Sequence, residues 1–441
     1  MWRVLKHPDF AHLFGAQVVA LAGTGLLTVA LGLLAYDLAG PAAGAVLGTA
    51  YAIKMIAYVG LSPITGALVV RMPRRAVLIA MDVIRIGVAL CLPFVETVTQ
   101  VYILIFVLQA ASATFTPTFQ ATIPDILEDE ADYTRGLSLS RMAYDLENLV
   151  SPALAGLLLL VMSYHGLFVG TALGFAGSIL LIRRAHIPSR SDAVSRPFHQ
   201  RVTRGIWIYL NTPRLRGLLA FNLGAAAVSA FVLVNTVVLV RESYGLNETG
   251  LALAMAAYGA GSMVVALVLP MVLDRVRDRR VMAFASSSLA ALTVGHGIWI
   301  GVFGVLEWPA FLLLWAVSGA LYSAILTPSG RLLRRSANAE DRPAVFTAQF
   351  ALSHACWLIT YPLAGYVAYW SALWVSMLLM GIIAAGGTAL ALSLWRSTGQ
   401  VLDHAHPDLP EDHPHVQAHG GRQHRHAFVI DDEHRVWPTQ G

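Results

Sequence analysis

GALVVRMPRR, residues 66–75, returns in altered form as PMVLDRVRDRR, residues 270–280, about 204 positions later. Each stretch is a short basic loop that follows the second hydrophobic segment of a group of six. Other pieces align at similar offsets. Thr116-Pro117 answers Thr327-Pro328, 211 apart, and Ser151-Pro152-Ala-Leu-Ala-Gly156 answers Tyr361-Pro362-Leu-Ala-Gly365. A duplicated six-span unit explains all three matches, and such repeats place a substrate site between the halves, near mid-membrane.

The composition supports spans. Charged residues are 13% of the chain, about half of the ~25% usual in soluble domains. Hydrophobic residues reach 56%, and mean hydropathy is +0.63. At 20–25 residues per crossing, the hydropathy pattern predicts twelve spans: 10–38, 43–70, 75–95, 99–123, 138–162, 164–182, 216–240, 248–273, 281–303, 308–330, 343–368 and 371–395. The predicted architecture is an all-α membrane protein of two pseudo-symmetric six-helix bundles, 1–182 and 216–396. A basic cytoplasmic linker at 183–215 joins them, and a disordered histidine-rich tail fills 397–441.

With the N-terminus inside, 27 of the 30 Lys and Arg fall in cytoplasmic segments or their helix ends; Lys54, Arg85 and Arg241 are the exceptions. The positive-inside rule therefore predicts both termini in the cytoplasm. Basic content used this way leaves nothing for a nucleic-acid partner to explain. The first span exceeds the 7–15-residue apolar core of a cleavable signal and is expected to be retained. Cys91 and Cys356 fall in different spans and give no disulfide framework. No G-x-x-x-x-G-K-[ST] occurs, which excludes a Walker-type ATP-driven pump.

The stretch RMAYDLENLVSPALAG, residues 141–156, holds the candidate chemistry. At 100° per residue, Leu146, Leu149, Val150, Ala153 and Leu157 share one side. Tyr144, Asn148, Ser151 and Ala155 share the other, with Asp145 and Glu147 on its rims. Ionisable groups at such depth mark an ion or proton path. Lys54, mid-span 2, calls for a carboxylate or water, as a structural pair or in transport. Asp82 and Arg85, at i, i+3 in span 3, read as a structural pair. The hydroxyls of span 4 suit a cavity wall or helix packing, and Asp37 reads as a solvated rim carboxylate. His296 reads as a satisfied packing histidine. Thr347, His354 and Tyr361 form a stripe along span 11, where His354 matches the repeat position of Asp145 to within a couple of residues. It is either a second contributor to a central site or a partner of Tyr361 in a packed interface. In the linker, 198–210 is amphipathic and suits a helix on anionic lipid.

The tail holds eight of the fifteen histidines. Six form His-x-His pairs: His404 and His406, His413 and His415, His424 and His426. Residues i and i+2 of an extended chain share a side, so each pair offers two imidazoles to one ion. Imidazole and carboxylate without cysteine suit nickel, zinc, copper or cobalt.

These features resemble the major facilitator superfamily, whose loop after span 2 reads G-x-x-x-D-[RK]-x-G-[RK]-[RK]. Gly66, Arg71, Arg74 and Arg75 match, whereas Val70 and Pro73 replace the acid and the second glycine. The acid survives in the second half as Asp274, beside Arg275. The resemblance implies that these loops gate the inward side. It also implies a helix-kink role for Pro152 and Gly156, with Pro362 and Gly365 as their counterparts, as in family exporters. Together with the histidine tail, the chain resembles the bacterial nickel-resistance (NreB-like) branch. That implies efflux of Ni²⁺, with Co²⁺ second, by proton antiport across the bacterial inner membrane. Transport and coupling then fall to Asp145, Glu147, Asn148, Lys54 and His354. The expected partners are the divalent ion, protons and the bilayer, with a monomeric carrier, no cofactor and no enzymatic activity. Two alternatives stand beside this: a drug or macrolide exporter of the same fold, and a metal sensor or scaffold working through the tail.

Overall fold

The computed structural model describes residues 2–61, 72–127, 154–187, 198–273, 275–337 and 341–395. It also describes single positions between 129 and 151, and within the tail 401–405, 410–413, 416–417, 421–431, 434 and 437. Gly66, Arg71, Asp145, Asn148, Pro152, Asp274, His406 and His415 lie outside the described residues.

Helix is the form a chain takes where lipid offers no hydrogen bonds. Among the described residues, nine stretches are long and apolar enough to cross a membrane. One of them, Pro8–Leu61, holds the first two expected spans, divided by the turn at Gly40–Ala42. Span 11 is the continuous helix Arg342–Trp370, which runs through Pro362. Span 5 shows as helical positions at 136, 139, 140, 143, 147, 151 and 154–158.

Local chemistry sets several of these elements. Span 4, Val98–Ile126, opens on a capping box: the Gln100 amide donates to Thr97 Oγ1, and the Thr97 amide donates to Gln100 Oε1 at 3.1 Å. Along it, Thr114, Thr118 and Thr122 donate to the carbonyls four residues back, at 2.8–3.0 Å. Hydroxyls satisfied within their own helix leave that surface free to pack. In span 3, Arg74–Cys91, Arg85 donates to Asp82, as the i, i+3 spacing predicts. The guanidinium lies between Phe115 and Phe175, 4.1 and 4.4 Å from their centroids.

Within each half the helices pack as layers: Pro8–Ala39 on Tyr164–Arg184, and Pro213–Val238 on Leu373–Leu394. The halves meet through Ala43–Ile56 of the first and Arg342–Trp370 and Pro213–Val238 of the second. Glycine permits that approach. A Cβ on Gly48 would lie 2.5 Å from the Tyr361 carbonyl oxygen, and one on Gly365 would collide with the Gly44 backbone. At the end of the bundle remote from the termini, Tyr36 donates to Glu242. There Tyr164 donates to Asp37 at 2.5 Å, and Arg241 stands 3.9 Å from the same carboxylate. Asp37 is exposed at this rim, as expected of a solvated carboxylate, and its neighbour Arg241 comes from the other half.

The linker and the tail both pack on the second half. Linker helix Phe198–Asn211 packs on Arg342–Trp370, with Ile208 and Tyr209 fully buried. Arg204 grips Asp341 through two hydrogen bonds of 2.5 and 2.9 Å, while Trp207 and Leu210 of the same helix stay exposed. The tail, expected to be disordered, contains an antiparallel hairpin of β1, Val401–Ala405, and β2, Gln423–Ala427. The apolar residues Phe428 and Ile430 hold it, buried among Leu215, Leu218, Ile325 and Leu333 of the second half.

Candidate functional site

The site grows from span 2. Lys54 sits in its final helical turn, and the next turn, Ala57–Leu61, is a π-helix that carries Tyr58. A widened turn of this kind re-aims side chains and recurs at functional positions. Lys54 Nζ lies 5.8 Å from the Tyr58 ring centroid, and the ring of His354 on span 11 lies 5.6 Å from the same ring. His354 packs on Phe350 at 4.0 Å, and its Nδ1 is 2.7 Å from the Phe350 carbonyl oxygen, which fixes Nδ1 as the protonated nitrogen. From span 5, Glu147 interacts electrostatically with both Lys54 and Tyr58, and the Tyr58 hydroxyl pairs with Thr116 of span 4. Lys54, Tyr58, Glu147 and His354 are all half-buried.

Four helices from both halves therefore meet around one tyrosine ring. Lys54 and Glu147 attract each other, and among the described residues no contact ion pair joins them. An aromatic wall continues the site: Tyr51 and Tyr361 at 4.9 Å, then Trp357 and Tyr361 at 4.9 Å. His354 is thus brought beside Tyr58, not hydrogen-bonded to Tyr361.

Of the residues expected to gate the inward side, Arg74, Arg75 and Arg275 are described. Arg75 donates to the Arg183 carbonyl, within the first half. Arg74 is half-buried and Arg275 exposed. The acid that anchors the second-half loop among the described residues is Asp278, 3.5 Å from Arg331 and 3.2 Å from Arg335. The sequence offered two aspartates in DRVRDRR, and spacing from Gly66 singled out Asp274. Gly156 and Gly365 serve as contact points: a Cβ on Gly156 would lie 3.0 Å from the Ala252 Cβ. His296 packs at right angles to Trp315, 5.8 Å between centroids, with neither ring nitrogen hydrogen-bonded, so it is packed but not satisfied.

In the tail, His404, His424, His426 and His434 bring one ligand nitrogen each to within 4.8 Å of one another. His434 belongs to no His-x-His pair, and only the chain reversal after β2 brings it in. His413 lies outside this cluster.

This arrangement, two helical halves closed around a polar seam, is that of a membrane carrier. The family profile of the Major Facilitator Superfamily matches residues 13–298 and 218–428, and the chain belongs to that superfamily. An uncharacterized MFS-type transporter of Bacillus subtilis (strain 168), YfiS, is 22% identical over 386 residues, covering 84% of this chain and 89% of that one. Among solved structures, nucleoside transporter NupG superposes with a TM-score of 0.67 at 15% identity, over 88% of this chain and 99% of its own. A bacterial homologue of the human lysosomal transporter Spinster, inward-facing and unoccupied, gives 0.68 at 11%, over 88% and 98%. A D-xylose–proton symporter gives 0.64 at 14%, over 90% and 97%. At these identities the solved structures speak for the fold alone. The chain is a multi-pass membrane transporter and not an enzyme.

Proposed function

We propose that this transporter exports a divalent transition-metal cation, Ni²⁺ first and Co²⁺ second, in exchange for protons by alternating access. Its place is the bacterial cytoplasmic membrane, with both termini and the tail in the cytoplasm. The observation that carries the reading is Glu147: an acid in the spanning region, half-buried at the seam and attracted to Lys54, with no contact ion pair between them among the described residues. A dication offers that carboxylate twice the charge of the ammonium, so it displaces Lys54 as the partner of Glu147. A proton arriving from the other side neutralises the acid and releases the ion. His354 donates Nδ1–H to the Phe350 carbonyl, which leaves Nε2 as its candidate ligand atom. Asp145 and Asn148 complete the proposed coordination, and the tail histidines gather ion at the cytoplasmic mouth.

With this sidedness, the contacts remote from the termini lie at the periplasmic end. The test is uptake of Ni²⁺ or Co²⁺ into inside-out vesicles under an imposed proton gradient. Wild type is expected to accumulate ion and Glu147→Gln to fail, while both insert equally. Equal accumulation by Glu147→Gln discards the assignment.

The aromatic wall of Tyr51, Tyr58, Trp357 and Tyr361 favours a second reading, a proton-coupled exporter of apolar drugs such as macrolides. Drug tolerance conferred by wild type, without metal tolerance, selects it.

A further inference from the structure

We propose that His404, His424, His426 and His434 form one resident site for a divalent transition-metal ion, which locks the tail hairpin closed beside the second half of the bundle. The inference is independent of the cargo, since a drug carrier would hold such an ion equally.

Pairing register does the first part of the work. His404 of β1 lies directly opposite His424 of β2, so both project from the same face, and His426 follows on that face two residues later. His404 stands centrally, its ring 4.8, 4.6 and 4.9 Å from those of His424, His426 and His434. Four nitrogens bound tetrahedrally at 2.0–2.1 Å lie about 3.3 Å from one another. The observed spread, up to 4.8 Å with His404 Nε2 and His434 Nε2 at 3.0 Å, needs only small side-chain rotations to reach that geometry. Two imidazole Nε2 atoms at 3.0 Å share one proton at most, and a metal ion replaces it with a cation that both can bind.

Hydrogen bonds behind the rings argue the same way. His434 Nδ1–H donates to Asp431 Oδ1 at 2.8 Å, and His424 Nδ1–H donates to the Gly421 carbonyl at 2.7 Å. Each fixes the tautomer whose lone pair is on Nε2, and a carboxylate behind an imidazole raises its basicity as a ligand. His424 and His434 are 7% and 4% exposed, so these are placed groups rather than surface imidazoles. Nitrogen-only donors without thiolate select Zn²⁺, Ni²⁺, Cu²⁺ or Co²⁺ over hard cations.

The ion closes a loop of 30 residues between His404 and His434. Phe428 is the wall between this loop and the membrane body. Its ring lies 5.0 Å from His404, 4.8 Å from His434 and 5.0 Å from Trp437. Its carbonyl accepts from Arg214 at 3.3 Å, and Arg214 also donates to Ser336 Oγ and to the Arg335 carbonyl at 2.6 and 2.7 Å. Arg335 in turn pairs with Asp278. The imidazole cluster is thereby joined through three residues to the loop after span 8.

The experiment uses full-length protein purified through a tag without histidine, loaded separately with Ni²⁺, Co²⁺ and Zn²⁺ and then dialysed. Metal analysis is expected to return one retained ion per chain in wild type and in Glu147→Gln. The double variant His404→Ala/His434→Ala is expected to retain none, and His413→Ala/His415→Ala to retain one. Cobalt-loaded wild type is expected to show the visible bands of a four-coordinate nitrogen site. Trypsin cleavage after Arg422 and Arg425 is expected to slow at least about tenfold on loading and to recover with chelator. No retained ion in wild type, retention unchanged in the first double variant, or loss only in the second overturns the proposal. Loss in Glu147→Gln alone also overturns it, by moving the ion to the seam. Because the altered histidines all lie in the tail, gel filtration of the membrane body separates loss of the site from loss of the fold.

Discussion

Gly48 is one of the points where the two halves approach by backbone, and adding one methyl group there tests what closes the end remote from the termini. A Cβ at this position would lie 2.5 Å from the Tyr361 carbonyl oxygen, 3.2 Å from its carbonyl carbon and 3.4 Å from Pro362 Cα. All three are backbone atoms or tied to them, so no side chain can swing aside. Real Cβ contacts essentially never fall under 3.0 Å, so the helices must part by at least about 0.5 Å. Overpacking of this kind costs about 1–3 kcal/mol, and Gly48→Ala imposes it only in the closed arrangement. The closed population relative to the open one should then fall by about 5–150-fold. Spin labels at positions 96 and 371, in a background without Cys91 and Cys356, report the separation of the halves at this end. Gly87→Ala is the control, because nothing lies within 4 Å of a Cβ there. A distance distribution for Gly48→Ala matching that of Gly87→Ala refutes the claim that this contact defines closure.

Arg85→Met should destabilise the first half by about 3–5 kcal/mol, because it strands the fully buried Asp82; thermal unfolding in detergent reads it, and Arg85→Met/Asp82→Leu should recover most of the loss. Asp278→Asn weakens two pairs whose arginines are 36% and 45% exposed, so solvent screening limits the loss to about 1 kcal/mol per pair. It should lower stability by no more than that amount, read by thermal unfolding in detergent. Phe428→Ala removes a 3% exposed ring and about 3–5 kcal/mol of local packing; hydrogen exchange should rise across 401–405 and 423–427 and stay constant in the spans.

Hydropathy and length made the fold legible, because a lipid-embedded backbone has one economical solution and its spans advertise themselves. The Asp82–Arg85 pair was equally open to reading, since both partners sit on one helix. Contacts between helices were not. Charge at depth marked Lys54 and Glu147 and the repeat set His354 beside them, but only packing reveals that Tyr58 stands with them. The approach at Gly44 and Gly48 had a signal that went unused: two glycines four residues apart in an apolar helix, the small-residue pattern that lets helix backbones touch. The tail yielded its donor chemistry and hid its partners. Eight histidines allow many groupings, and strand register decides among them. The apolar run Phe428–Ile430 in a polar segment was the sign that this stretch packs rather than dangles.

The charges at the seam and the contacts at the remote end bear on each other. Lys54 lies on the same helix as Gly44 and Gly48, about 2.8 and 1.7 turns from these contacts with the second half. Tyr58 follows on the π-turn of that helix and faces His354 on the helix that Gly48 touches. A ligand that pulls Glu147 away from Lys54 therefore acts on the helix that forms the seal. Differential affinity for the two arrangements is the only quantity that can move such an equilibrium. Here it has a structural source: in the closed form the Glu147 charge is shared with Lys54, and a competing cation or proton changes what that sharing is worth. A carrier with its acid locked in a contact ion pair would lack that lever. The separation of Lys54 and Glu147, rather than their proximity, is what suits them to coupled transport.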